Sequence, residues 1–420
     1  MRKAPLFLTL LASVAIIAPA LAQQGPPKPT DAQLALAAKE DQLSDQKCGV
    51  PRNAADEYRP TALTPDQTRA PRVVGKQKFK VEVLASGLKN PWSLTFLPDG
   101  NMLVTIRNEG LRIVTPAGKV SDPITGTPPI KTAIRLFGMH DVALDKDFKK
   151  NRTIYVAYNT TPEGGKATVG YLASAKLSAD EKSVTDWKVL KEGAMTPRRI
   201  LQAKDGTLFA LTADIITPYV SAQSLASPQG KVLRINADGS IPKDNPFLAN
   251  KDADPSVYAL GFRDPQGFAF RPGSNDLWLD ENEPRGGDEL NLVKPGKNYG
   301  FPKISYGRDN DGKPLGDDKT AEDGLEQPVY FWNPSVALSG LLFYTGAKLP
   351  GWKNSVFIGG LSGQQLVRLE LNSAGRVTGE EKLLRDQCKR MRDVRQGPDG
   401  LIYVVTDETD GQILRLAPEK

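Results

Sequence analysis

"SLTFLPDGNMLVTIR" (residues 93–107) reads as two short strands joined by a tight turn. Apolar side chains alternate on either side of Asp99-Gly100, and glycine accepts the positive φ such a turn requires. The same unit returns as "RILQAKDGTLFALTAD" (199–214), "GFAFRPGSNDLWLDEN" (267–282) and "DVRQGPDGLIYVVTDE" (393–408). Two looser copies, "DVALDKDFKKNRTIYVAYN" (141–159) and "GLLFYTGAKLPGWKNSVFIGGL" (340–361), fill the gaps. Further strand-like runs follow within the units, such as "GLRIVTPAGKV", "GKVLRINADGS" and "QLVRLELNSAGRV". Six repeated antiparallel meanders, with no long helical period and no parallel-sheet signature, predict an all-β, six-bladed β-propeller over residues 76–420.

The residues before the repeats differ in texture. "MRK", the apolar run "LFLTLLASVAII" and "APALA" form a secretory signal peptide over residues 1–22, with cleavage after Ala22. The apolar run is too short to span a bilayer, which needs roughly 20 residues. A periplasmic or secreted protein with no membrane span is expected. Residues 23–75 read as a polar, Pro-rich extension carrying one helix-like stretch, "TDAQLALAAKEDQLSDQ".

The formal net charge is +6 over 420 residues, and no basic run is interleaved with aromatics, so a nucleic-acid partner is not expected. The two cysteines, Cys48 and Cys388, lie near opposite ends of the mature chain. In an oxidising compartment a single disulfide between them is predicted in preference to two separate thiols. There is no Cys-x-x-Cys or Cys/His cluster of the kind that holds zinc.

In a propeller, the loops at one end of the axis converge on a common site. Candidates here are "GFRDPQG" (261–267) with Arg263 and Asp264, the acid-rich "DENEPRGGDELN" (280–291), and "KRMRDVRQ" (389–396). Arg390 and Arg392 are two apart, which places both guanidiniums on one side of a strand and suits an anionic ligand. Carboxylates beside loop carbonyls suit a hard cation such as Ca²⁺. His140 is the single histidine and thus the obvious proton carrier.

The stretches "PWSLTFLPDGNMLVT", "GKVLRINADGSIPKDNPF", "RDPQGFAF", "PRGGDELNLVKPGKNYGFPKISYGR" and "RMRDVRQGPDGLIYVVTDE" resemble the soluble aldose sugar dehydrogenases that use pyrroloquinoline quinone (PQQ), the glucose/sorbosone dehydrogenase family. The resemblance runs over residues 78–418 and implies a six-bladed propeller with PQQ and Ca²⁺ in the axial site. It also implies a small-molecule sugar oxidised at C1 and an external electron acceptor. Arg390 and Arg392 match the arginines that hold the quinone carboxylates, and Arg263 matches the arginine of the family's "HRNPQG" loop.

Departures are concentrated in the implied site. The asparagine of that loop is Asp264. The Gly-Pro whose carbonyls bind calcium reads Glu283-Pro284. The quinone-contacting glutamine falls at Leu136, and a lysine found beside the quinone falls at Ser362. The segment of type "GGNHFGSRLVFAPDGTLFVTLGD" reads "EGAMTPRRILQAKDGTLFALTAD" (192–214), so the base histidine falls at Met195 while its orienting acid is matched by Asp214. Methionine takes no proton, and His140 stands at an apolar position of the family pattern, where packing is expected rather than catalysis. Two functions follow: a PQQ- and Ca²⁺-dependent dehydrogenase with a rearranged base, or a catalytically degenerate sugar- or anion-binding propeller. The joint departures favour the second.

Overall fold

The structure is a computed structural model that describes Lys39 and residues 45–50, 58–73, 75, 77–132 and 134–419. The signal segment and most of the helix-like stretch lie outside the described residues.

Strand β1 (Phe79–Leu88) comes first but belongs to the last blade. Blade one is β2 (Pro91–Phe96), β3 (Met102–Ile106) and β4 (Gly110–Val114). Blade two is β5 (Met139–Leu144), β6 (Thr153–Thr160), β7 (Val169–Leu177) and β8 (Val184–Gly193). Blade three is β9 (Thr196–Gln202), β10 (Leu208–Ala213), β11 (Lys231–Ile235) and β12 (Val257–Leu260). Blade four is β13 (Asp264–Phe270), β14 (Leu277–Asn282), β15 (Asp288–Val293) and β16 (Tyr330–Trp332). Blade five is β17 (Leu338–Phe343), β18 (Val356–Gly360), β19 (Gln365–Leu371) and β20 (Val377–Leu383). Blade six is β21 (Met391–Gln396), β22 (Ile402–Thr406) and β23 (Gly411–Pro418), completed on its outer edge by β1. Closing the ring with the first strand leaves no seam at which the two chain ends could separate.

The Asp-Gly units are the two innermost strands of blades one, three and six. In each, glycine has positive φ (Gly100 +91°, Gly206 +91°, Gly400 +78°). The preceding aspartate accepts the amide two residues on: Asp99 from Asn101, Asp205 from Thr207 and Asp399 from Leu401. That bond satisfies a turn amide locally, so side-chain chemistry and glycine freedom fix the turn together.

Six apolar clusters fill the six gaps between blades. Leu103 and Leu111 pack on Val142 and Val156; Tyr155 and Leu172 on Ile200 and Leu208; Leu211 and Val232 on Phe268 and Leu279. Leu290 and Tyr330 pack on Leu338 and Ile358; Phe357 and Leu366 on Val394 and Ile402; Val405 and Ile413 on Leu94 and Val104. The core is therefore a ring, and the axis is left to polar side chains. The extension is tied to the outside of blades four and five. Gln67 exchanges backbone and side-chain bonds with Phe331 and Pro328, Asp66 receives both arms of Arg376, and Val73 donates to Glu380. Cys48 and Cys388 are joined in a disulfide, Cα–Cα 4.9 Å.

Candidate active site

The first strand of each blade lines the axis, in the ring order β2, β5, β9, β13, β17, β21 and back to β2. Buried polar residues sit at the start of these strands: Ser93, His140, Asp141, Arg198, Arg199, Asp264, Gln266, Ser339, Arg392 and Asp393. Arg199 is the hub. Its Nη2 lies 3.0 Å from Asp393 and its Nη1 3.4 Å from Asp141. Its Nε donates to the Gln266 carbonyl at 2.7 Å, and its guanidinium stacks 4.1 Å from the Trp92 ring. One side chain from β9 thus bonds to β5, β13 and β21 and packs on β2, which pins blades at the axis.

Toward the end where these strands begin, guanidiniums gather. Asp407, just after β22, receives Arg392 Nη2 at 2.5 Å, Arg107 Nη2 at 3.2 Å and Arg390 Nη2 at 3.5 Å. Burial alone would raise the Asp407 carboxyl, but Arg392 and Arg107 hold it well below the usual carboxylate range. Three cations thus share one anion. Among the described residues, the buried Nε atoms of Arg263, Arg390 and Arg392 have no hydrogen-bond partner. Three guanidiniums against one carboxylate leave this end with an excess of positive charge, which suits an added anion.

Beside it lies a second cluster. Arg198 Nε donates to Asp264 Oδ1 at 2.8 Å, and its Nη1 to the Leu136 carbonyl at 2.7 Å. His140 Nε2 is 3.4 Å from Arg198 Nη1 and 3.1 Å from the Leu136 carbonyl, and Nδ1 is 2.5 Å from the Pro197 carbonyl. His140 has no exposed surface and packs on Trp92. Burial, then Arg198, pushes its imidazole well below the ordinary value. Both ring nitrogens face protein atoms, so neither is available to a substrate.

Met195, the residue before β9, is buried in the apolar cluster with Tyr155, Leu172 and Ile200. Asp214 accepts the Ala222 amide at 2.8 Å, and its own amide donates to the Arg263 carbonyl at 2.7 Å. It holds a loop. Leu136 turns its side chain outward, 41% exposed, and contributes its carbonyl to Arg198 and His140. Ser362 is half-buried in the β18–β19 turn. Glu283 is buried, accepts from Ser305 Oγ at 2.7 Å, and has no positive φ, so the side chain is accommodated without the strain a replaced glycine could bring. Pro284 beside it is half-buried. Burial, then Glu289, raises Glu281 and Glu283 well above the usual carboxylate range, and burial pushes Glu289 up to about 8.

The Glucose / Sorbosone dehydrogenase family profile matches residues 88–415 of this chain. The chain belongs to that family. It is 39% identical over 350 residues to aldose sugar dehydrogenase YliI of Escherichia coli (strain K12), covering 80% of this chain and 92% of YliI. It is 27% identical over 433 residues to quinoprotein glucose dehydrogenase B of Acinetobacter calcoaceticus, covering 82% of this chain and 88% of that protein. The crystal structure of soluble aldose sugar dehydrogenase from Escherichia coli in the apo form superposes with a TM-score of 0.76 at 36% identity, over 81% of this chain and all of that one.

Within this family frame, the residues that sequence reasoning passed over are Arg107, Arg198, Arg199 and Asp407. Arg198-Arg199 carried a usable signal, a doubled arginine at the start of an otherwise apolar strand. Arg107 and Asp407 carried none, because each gains meaning only when the first and last blades meet.

Proposed function

We infer that this chain is an exported sugar dehydrogenase-like propeller that binds PQQ and oxidises an aldose at C1, with turnover far below that of relatives that keep the histidine base. The observation that carries the reading is the guanidinium cluster: Arg390, Arg392 and Arg107 converge on the single carboxylate of Asp407. A tricarboxylate fits that donor set, since guanidinium pairs with carboxylate through paired, charge-assisted bonds. When bound, the quinone supplies the two-electron oxidant. The chain's part is to hold the carboxylates on these arginines and exclude water with the blade loops. A cation beside Glu283 and the Pro284 carbonyl suits a region where buried Glu281, Glu283 and Glu289 repel one another. An external acceptor would reoxidise the quinone.

The burial of Met195 among apolar side chains favours a second reading, a binding propeller without turnover. One experiment separates the two. Purified mature protein is titrated with PQQ by absorbance, with and without Ca²⁺, and dye reduction is followed with a panel of aldoses. Saturable PQQ binding with sugar-dependent turnover roughly 10²–10⁴-fold below a histidine-bearing relative supports the first reading. Binding without turnover supports the second, and absence of PQQ binding rejects the quinone assignment.

A further inference from the structure

We propose that Asp264 is the proton acceptor for the sugar C1 hydroxyl, replacing the absent histidine; this rests on the quinone-dependent reading above. The position carries asparagine in the family loop and aspartate here, and only the carboxylate can take a proton. Asp264 opens β13, beside Arg263 and two residues before Gln266, whose Oε1 accepts from Arg392 at 3.1 Å. It therefore lies inside the guanidinium-lined end. Its Oδ1 is anchored by Arg198 Nε at 2.8 Å. Among the described residues no hydrogen bond reaches Oδ2, and that atom is not one of the fully buried orphans; the side chain keeps 8% exposure. One oxygen is fixed by a guanidinium and the other carries no such bond.

The other acids are disqualified by their surroundings. Asp407 is shared by three arginines. Asp214 lies in the loop after β10 and turns Oδ2 to the Ala222 amide. Glu281 takes the Arg263 amide and Asn291, and Glu283 takes Ser305. His140 has both nitrogens occupied. Asp264 is the acid of this end whose carboxylate is held through one oxygen by a single guanidinium, at the position where the family loop carries a neutral amide.

In the step, the C1 O–H bond breaks and its proton goes to Asp264 Oδ2. The C1–H bond breaks with its electron pair, the hydride passing to PQQ as oxidant. The C1–O double bond forms and the product is the lactone. Arg198 acts as a positioning residue that aims the carboxylate.

The test is Asp264→Asn, which restores the family side chain at nearly constant shape. Expected are a PQQ dissociation constant within about threefold of the parent, measured by absorbance titration of the protein without sugar, and kcat lowered by ~10²-fold or more, with KM little changed. Because Asp264→Asn leaves Arg198 unpaired, Arg198→Ser/Asp264→Asn is measured beside it and should bind PQQ with the same low kcat. Unchanged kcat in either Asp264 variant, or a parent that binds PQQ without any turnover, overturns the proposal. A parent that binds no PQQ overturns the quinone reading itself, a result distinguishable by the titration alone.

Discussion

Replacing Arg198 with serine removes a cation with 2% side-chain exposure from a carboxylate with 8%. Three bonds are affected: Nε to Asp264 at 2.8 Å, Nη1 to the Leu136 carbonyl at 2.7 Å, and the longer approach to His140 at 3.4 Å. Breaking one side of a buried pair costs about 3–5 kcal/mol, mainly because the partner charge is stranded. The Asp264 side chain keeps some exposure, so the low end, about 3 kcal/mol, applies. With an unfolding entropy near 2.1 cal/mol/K per residue, a propeller of this size loses roughly 4 °C in Tm. Arg198→Ser/Asp264→Asn removes both charges and restores the neutral pair of the family pattern. It should recover about two-thirds of the loss, about 2 kcal/mol. Thermal unfolding of the oxidised full chain, followed by tryptophan fluorescence at pH 7, measures all three variants. Trp92 reports directly, since it packs on His140 and Arg199. A double variant as unstable as the sum of the singles would refute the reasoning, because then the two side chains do not share an interaction.

Glu289→Gln tests the buried acids. Burial lifts Glu289 from 4.5 to about 8, so the folded state holds the proton more tightly than the unfolded chain. Its contribution is fully present below pH 4.5 and lost as pH rises through 8; the variant should flatten the fall in Tm over that window, and an unchanged slope would count against the assignment. Asp407→Asn leaves three guanidiniums without their shared anion and should cost about 3–5 kcal/mol at pH 7, read as a Tm drop. Because Arg392 and Arg107 hold Asp407 below its ordinary 3.8, the penalty should persist down to that pH and shrink below it. Cys48→Ser/Cys388→Ser opens a link across 340 residues and should cost about 2–4 kcal/mol; reductant should lower the parent Tm and leave the variant unchanged.

The propeller was legible because its signals are local. An Asp-Gly turn between alternating strands can be read within sixteen residues, and its repetition fixes the architecture. The closing strand was not legible. β1 pairs with β23, Phe79 against Pro418 and Val83 against Leu414, and nothing in "FKVEVLASGL" distinguishes an outer strand of blade six from a first strand of blade one. The site divides the same way. Arg390 and Arg392 are related by strand alternation, and both reach Asp407. Arg107 reaches the same carboxylate from 300 positions earlier in the chain, a relation that exists only once the ring closes.

The departures from the family pattern look like scattered losses along the chain, and in space they are not scattered. Arg198 stands where the family segment has serine, Asp264 where the family loop has asparagine, His140 at an apolar slot, and Leu136 at the glutamine. The four meet through one guanidinium, with Asp264 on Nε and the Leu136 carbonyl and His140 imidazole on Nη1. Either charged change alone would strand a charge in the buried axis; together they neutralise each other. Unconstrained drift removes side chains without supplying partners, and a site decaying that way would show orphaned charges where Arg198 and Asp264 show a pair. The base at Met195 is gone, packed into the core between blades two and three. The carboxylate that arrived at Asp264 came with the arginine that anchors one of its oxygens. That pairing is why the proton acceptor should be sought at the start of β13 and not at the lone histidine.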